Sequence, residues 1–227
     1  MAGRRAPREG GGAQVTSVVQ DYLKLIWKLG ERSDDPVTTT VLARGLGVGA
    51  PTVSETVQRL AAQGWVNHRP YHPVTLTPQG RDLALAMVRR HRLLETWLVR
   101  ELGYGWDEVH DEAEVLEHAV SERFVDALDA RLGHPWRDPH GDPIPTRDGS
   151  VRSVRGQPAG SLRDGEQGRV VRVVDDDPAV LRECAAAGVV VDAVVIGPVT
   201  LSAAALSAVR VEPTGAVSGD GSPAPSG

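Results

Sequence analysis

The chain has 227 residues, 41% of them hydrophobic and 4% aromatic, which allows one to three compact units. No apolar run approaches the roughly 20 residues that cross a bilayer, and the N-terminal MAGRRAPREGGGAQ lacks the apolar core of a secretory signal. One cysteine, Cys184, excludes a disulfide framework and any multi-cysteine zinc site, so a cytoplasmic protein with no membrane partner is expected. The formal charge of -5 conceals an asymmetry: residues 1–103 carry 14 Lys/Arg against 9 Asp/Glu, and residues 104–227 carry 11 against 21. A basic unit suited to a polyanion therefore precedes an acidic one.

Residues 1–13 are Gly/Arg-rich and read as a disordered arm. A first helix starts at Thr16 or Ser17 and runs to Leu29, with Val18, Val19, Tyr22, Leu25, Ile26 and Leu29 at the three- and four-residue steps of an apolar stripe. Thr38 or Thr39 caps a short helix carrying Val41, Leu42 and Leu46. Gly47 and Gly49 then bracket a turn, and Ala50-Pro51 open a second helix with Val53, Val57, Leu60 and Ala61 inward. Two short helices around a glycine turn make a helix–turn–helix. The strands Trp65–His68 and Val74–Thr77, around a proline-punctuated tip, supply a wing.

Thr77-Pro78 opens a long helix to about Leu102; a second covers about Asp107 to Ala119; Ser121 caps a third with Phe124, Leu128 and Leu132 as its stripe. Helices with continuous apolar faces after a DNA-reading unit suit dimerisation, and a two-fold dimer matches a palindromic operator. Residues 134–165 read as extended chain and linker. From Gly168 short Val-rich strands (169–174, the VVVDAVVIG run, VTLS and AVRVE) with one helical insertion predict a small β-barrel, and 213–227 a disordered tail. The fold class is thus mainly α with a small β domain. The boundaries are an arm 1–13, a winged helix–turn–helix 14–77, a helical dimerisation and metal-binding domain 78–145, a linker 146–160, a β domain 161–212 and a tail 213–227.

The segment HDEAEVLEH carries the chemistry. On a helix His110, Glu114, Glu117 and His118 fall within an arc of about 100 degrees, and the preceding helix offers His91 and Glu95 at i, i+4. Facing helices with carboxylates and imidazoles are a common way to hold a metal in a bundle. An acidic i, i+4 pattern is more often a solvated face. Here, though, Val109, Ala113, Leu116 and Val120 mark a buried side next to it, and no Lys or Arg occurs in 101–122 to neutralise the carboxylates.

With these motifs assembled, the chain resembles the diphtheria toxin repressor family of metal-dependent regulators over residues 15–211. The resemblance rests on GAPTVSETVQRLAAQGWV, VTLTPQGR, HRLLE, VHDEAEVLEH and DPHGDPIP, in that order. It implies a winged helix–turn–helix, a helical dimerisation and metal domain, and an SH3-like C-terminal barrel, with metal ordering a homodimer that represses transport genes. It places the primary site on Asp21, Glu114, Glu117 and His118, tying the DNA-reading domain to the next one. A second site falls on His91, Glu95 and His110, with Asp175 as the barrel's ligand (Asp176 or Asp177 being alternatives). Asp138 and His140 join it where some manganese-responsive members have a Cys-Pro-His turn; an ordinary structural turn is the other reading of His140.

Iron-sensing members resembling this chain have Met where Asp21 stands and Cys where Glu114 stands. Oxygen donors in both places suit hard, weakly binding Mn(II), so Mn(II) at two sites per subunit is expected, with Fe(II) the alternative and no small organic ligand. Lys24 stands where some manganese regulators have a further Glu, which favours two separated sites over a bridged pair. For DNA, Ala50, Pro51, Thr52, Ser54, Glu55 and Thr56 open the recognition helix, while Arg59, His68 and Arg69 reach the backbone. The rivals are a winged-helix repressor sensing an organic ligand and a metalloenzyme. The cluster has no candidate nucleophile or substrate loop beside it, so no enzymatic activity is expected.

Overall fold

The structure is a computed structural model that describes residues 15–70 and 72–216. The expected arm 1–13 lies outside them, as does the tail beyond Ala216. The chain divides into two compact units, one ending at Met87 and the other starting at Val88.

In the first unit α1 (Ser17–Arg32) begins where the Thr16 hydroxyl accepts from the Val19 amide at 3.4 Å, satisfying one of the donors a helix start leaves open. The expected stripe holds except at Val18: Leu25 and Leu29 are half-buried against the core, and Leu23 joins it unforeseen. Val19, Tyr22, Leu23 and Ile26 are buried, whereas Val18 is 48% exposed. Helix α2 (Thr39–Leu46) is capped by Thr38 and closed by Gly47 at φ +66°; α3 (Ala50–Ala62) follows with Pro51 in its first turn. Leu42, Val53, Val57 and Leu60 are fully buried and join Val19, Tyr22, Leu23 and Ile26 in one core.

Strands β1 (Val66–Asn67) and β2 (Thr75–Leu76) pair antiparallel with Val66 opposite Leu76, a shorter wing than the sequence suggests. After it the Thr77 hydroxyl donates to Gly64 O at 2.7 Å and accepts from Gly80 N at 3.0 Å. Thr77 thus pins the wing's base and caps α4 (Pro78–Leu102). A Cβ on Gly80 would lie 1.9 Å from Trp65 O, so only glycine permits that approach.

In the second unit α4 is followed by α5 (Val109–Leu116) and α6 (Glu122–Arg131), whose start the Ser121 hydroxyl caps. Leu93, Leu94, Leu98, Val109, Ala113, Val125, Leu128 and Ile144 form their core. Two expectations fail here. α5 ends at Leu116, not Ala119, leaving Glu117 and His118 in a turn. Val125 replaces Phe124 in the buried stripe, and Phe124, 40% exposed, meets Trp97 edge-on at 6.2 Å.

The C-terminal part is a four-stranded antiparallel sheet in the order β3 (Gln157–Pro158), β6 (Val209–Ala216), β4 (Glu166–Val173), β5 (Val194–Ile196). Helices α7 (Pro178–Ala186) and α8 (Ala203–Ala208) pack on it through Val170, Val173, Leu181, Cys184, Ala205, Val209 and Val211. VTLS is not a strand, since Ser202 caps α8. Residues 213–216 are not tail: Pro213 pairs with Gly168 and Ala216 with Glu166, because β4 is long enough to carry β6 that far. Strand β3 likewise lies within the expected linker. Among the described residues no helix is long and apolar enough to cross a membrane.

Candidate metal centre and DNA-reading face

Helix α4 places His91 and Glu95 on its buried side, 2% and 0% exposed, where an unpaired carboxylate would cost several kcal/mol. The partners come from three other segments. His91 Nδ1 lies 2.6 Å from Glu117 Oε2, in the turn after α5. On its other side, His91 Nε2 lies 3.0 Å from Glu95 Oε1 and 3.1 Å from His110 Nδ1. His110 Nδ1 is itself 3.1 Å from Glu95 Oε1 and 3.3 Å from Asp175 Oδ2, just beyond β4. His91, Glu95, His110 and Asp175 each offer a donor atom within 4.8 Å of the others. Carboxylate oxygens only accept, so such a convergence needs protons on the imidazoles or a shared cation.

A neighbouring set shares Glu95. Glu95, Asp138 and His140 again bring donor atoms within 4.8 Å of one another. The His140 ring stacks on Trp106 with centroids 5.6 Å apart, and its Nε2 lies 2.6 Å from Trp106 O. Donation to that carbonyl leaves Nδ1 as a lone pair, the arrangement a metal-bound histidine uses. Glu95 Oε2 and His140 Nδ1 are both buried with no hydrogen-bond partner. Two orphaned buried acceptors in a carboxylate-imidazole pocket fit a divalent cation.

The electrostatics agree. Burial alone would raise the Glu95 carboxyl, but the charge on His91 and hydrogen bonds from His110 and His91 hold it well below the ordinary range. Burial would lower His140, yet the carboxylates of Glu95, Asp138 and Asp175 and the Trp106 carbonyl raise it. Asp138 is pushed well up by burial and by the charges of Asp142 and Glu95.

The expected primary ligands are placed more loosely. Glu114 is half-buried, its Oε1 3.6 Å from His110 Nε2. Exposed His118 has its Nε2 3.5 Å from Glu117 Oε1, and Glu117 is fully buried. Asp21 lies half-buried on α1 in the first unit. Of the alternatives for the barrel ligand, Asp175 is buried at the cluster, Asp176 is exposed and Asp177 caps α7. The sequence reading missed the contact between His91 and Glu117, which no local spacing announces.

Residues 14–74 match the family model "Iron dependent repressor, N-terminal DNA binding domain", and 77–146 match "Iron dependent repressor, metal binding and dimerisation domain". The iron-dependent repressor IdeR of Mycobacterium tuberculosis is 37% identical over 132 residues, covering 58% of this chain and 57% of the relative. The diphtheria toxin repressor of Corynebacterium diphtheriae is 38% identical over 134 residues, 59% of each. A solved manganese-dependent transcriptional repressor in complex with manganese is 50% identical with a TM-score of 0.79, covering 85% of this chain and 98% of that one. The chain belongs to the diphtheria toxin repressor family. The family is one of metal-binding, DNA-binding transcription regulators. The solved manganese regulator SloR is also similar, at 30% identity and a TM-score of 0.71 over 86% of this chain and 98% of that one. The chain spans 57% of the length of the first curated relatives it matches.

The residues expected to open the DNA-reading helix lie on α3. Ala50, Pro51, Thr52, Glu55 and Arg59 are exposed on it, and Ser54 is half-buried. Thr56 is a correction: only 5% exposed, it lies on the inner side with Val53, Val57 and Leu60 and does not face a duplex. His68 and Arg69 follow β1, His68 half-buried and Arg69 exposed. Thr38, Thr39, Ser54, Gln58 and His68 line one groove of about 500 Å³ beside the wing. Gln58 was missed by the sequence reading, although its position one turn after Ser54 on the outer face was the available signal.

Proposed function

We propose that this chain is a Mn(II)-dependent, DNA-binding transcriptional repressor, without enzymatic activity, that controls manganese uptake and homeostasis genes in the cytoplasm. The observation that carries the metal assignment is the donor chemistry: every candidate ligand is a carboxylate or an imidazole, and none is sulfur. Segment 14–77 reads a palindromic operator, segment 78–145 dimerises and holds metal, and the C-terminal sheet with its helices, residues 157–216, is an SH3-like domain contributing Asp175. Two cations bind per subunit. Glu114, Glu117 and His118, with Asp21 assigned to them by family resemblance alone, hold the first. His91, Glu95, His110 and Asp175, with Asp138 and His140 on the far side of Glu95, hold the second. When bound, the cation neutralises carboxylates that otherwise repel. His91 and Glu117 orient each other, and the Trp106 carbonyl orients His140. Ala50, Pro51, Thr52, Ser54 and Glu55 meet base edges, with Arg59, His68 and Arg69 on phosphates.

The solved neighbour of 50% identity is a manganese-dependent repressor in complex with manganese, which supports the reading. Fe(II) is the second reading, favoured by the iron-dependent names of the curated relatives. The double variant Asp21→Met with Glu114→Cys separates them. It is expected to shift operator binding toward Fe(II) in parallel Mn(II) and Fe(II) titrations. An unchanged preference removes the basis for assigning the metal by ligand softness.

A further inference from the structure

Behind Asp138 and His140 stands a buried network of four charges that the site itself does not use. The Asp138 carboxylate accepts from the backbone N–H groups of His140 and Asp142, each at 2.9 Å, folding the chain into a tight turn. Arg92 on α4 donates from Nη1 to Pro143 O at 2.7 Å. Its Nε lies 3.7 Å from Asp138 Oδ2 and its Nη2 3.5 Å from Asp142 Oδ2. The other oxygen of Asp142 pairs with Arg172 Nε on β4. Arg92, Asp138, Asp142 and Arg172 are all buried. The turn also rests directly on β4: Val173 N donates to His140 O at 2.8 Å, and a Cβ on Gly141 would come within 2.2 Å of Val171 O.

The placement of the two arginines is informative. Arg92 follows His91 and precedes Glu95 by three residues on α4, and Arg172 precedes Asp175 by three on the β4 side. Each guanidinium therefore sits within three residues of a candidate ligand, and both converge on the one carboxylate of Asp142. We propose that Arg92 and Arg172, acting through Asp142, are positioning residues that hold the Asp138–His140 turn in register with Glu95 and Asp175 for the second cation. This rests on the reading of Glu95, Asp138 and His140 as metal ligands. The planar fork of Arg92 reaches three acceptors at once, which the point charge of a lysine does not reproduce. The Asp142 carboxylate is the shared pivot, so removing either arginine frees the turn on one side.

The test uses the full chain with Mn(II) alone as probe, counting bound ions and affinities by electron paramagnetic resonance. Backbone hydrogen exchange over 138–144 is followed in the metal-free protein. The wild type is expected to bind two Mn(II). Arg172→Gln weakens one of them about 10- to 100-fold, leaves the other within about twofold, and speeds exchange at the His140 and Asp142 amides. The charge-matched double variant Arg172→Gln with Asp142→Asn leaves no buried charge unpaired, and it is expected to fold yet keep the affinity loss. Recovery of wild-type affinity in that double variant overturns the proposal, because the loss then came from a stray charge and not from lost positioning. Two Mn(II) bound unchanged by Arg172→Gln overturns the clamp alone. A wild type that binds one Mn(II), or a His140→Ala variant that loses none, fails the underlying site reading and the proposal with it.

Discussion

Glu95 concentrates an electrostatic conflict: a fully buried carboxylate, surrounded by imidazoles, with one oxygen left without a hydrogen bond. Its neighbour His140 turns that conflict into a pH dependence. Because the surrounding carboxylates raise His140, its protonated form contributes stability to the metal-free chain fully below the ordinary histidine range. That contribution is lost as pH rises through the raised value. Mn(II) needs the neutral ring, so second-site affinity should climb over the same window as the proton leaves. Calorimetric Mn(II) titrations between about pH 6 and 8.5 should show this slope in the wild type and a flatter one in His140→Ala. Equal slopes in both would remove His140 from the ligand set. The His91 and Glu95 pair was legible from its i, i+4 spacing. The Glu117 contact with His91 and the pairing of Asp142 with Arg92 and Arg172 join residues remote in the chain and leave no local pattern to read.

At the scale of elements, caps, glycines and the apolar stripes of α1 and α3 were the readable signals. Thr16, Thr38 and Ser121 announced their helices because a hydroxyl accepting from the first turn is a local event. The end of α5 had no glycine or proline to mark it, and the turn that follows holds Glu117 buried beside His91. The stripe of α1 was legible at Val19, Tyr22, Leu25, Ile26 and Leu29 but not at its edge, where packing buries Leu23 and leaves Val18 exposed. Gly80 gives a test of the wing's attachment. Gly80→Ala should cost about 1–3 kcal/mol by urea unfolding, as its Cβ meets the Trp65 backbone and not a flexible side chain; an unchanged midpoint would mean that α4 does not start against the wing. On α3, Thr52→Ala should weaken operator binding at unchanged stability, whereas Thr56→Val should alter stability and leave DNA sequence preference intact. Fluorescence anisotropy beside thermal melts distinguishes the two, and the opposite pattern would reverse the assigned faces.

At the scale of the whole molecule, the charge asymmetry between residues 1–103 and 104–227 was visible in the composition, whereas the two family models divide the chain between 74 and 77. The four-stranded sheet was legible as a β domain, but its edge strand β3 and the full length of β6 were not. Both depend on pairing with β6 and β4 partners far along the chain and not on their own sequence. Arginine and carboxylate pairs at 92, 138, 142 and 172 link α4 to that sheet, so the β domain is expected to take part in metal response and not merely to follow it. The most direct measurement is operator binding itself. Metal-free full-length chain is titrated with Mn(II), Fe(II) or Zn(II) under anaerobic conditions at fixed salt, following a labelled fragment from its own promoter. No specific complex is expected without metal, and a saturable one is expected at micromolar Mn(II). Failure of micromolar Mn(II) where Fe(II) succeeds, or specific binding with no metal at all, would contradict a Mn(II)-dependent repressor.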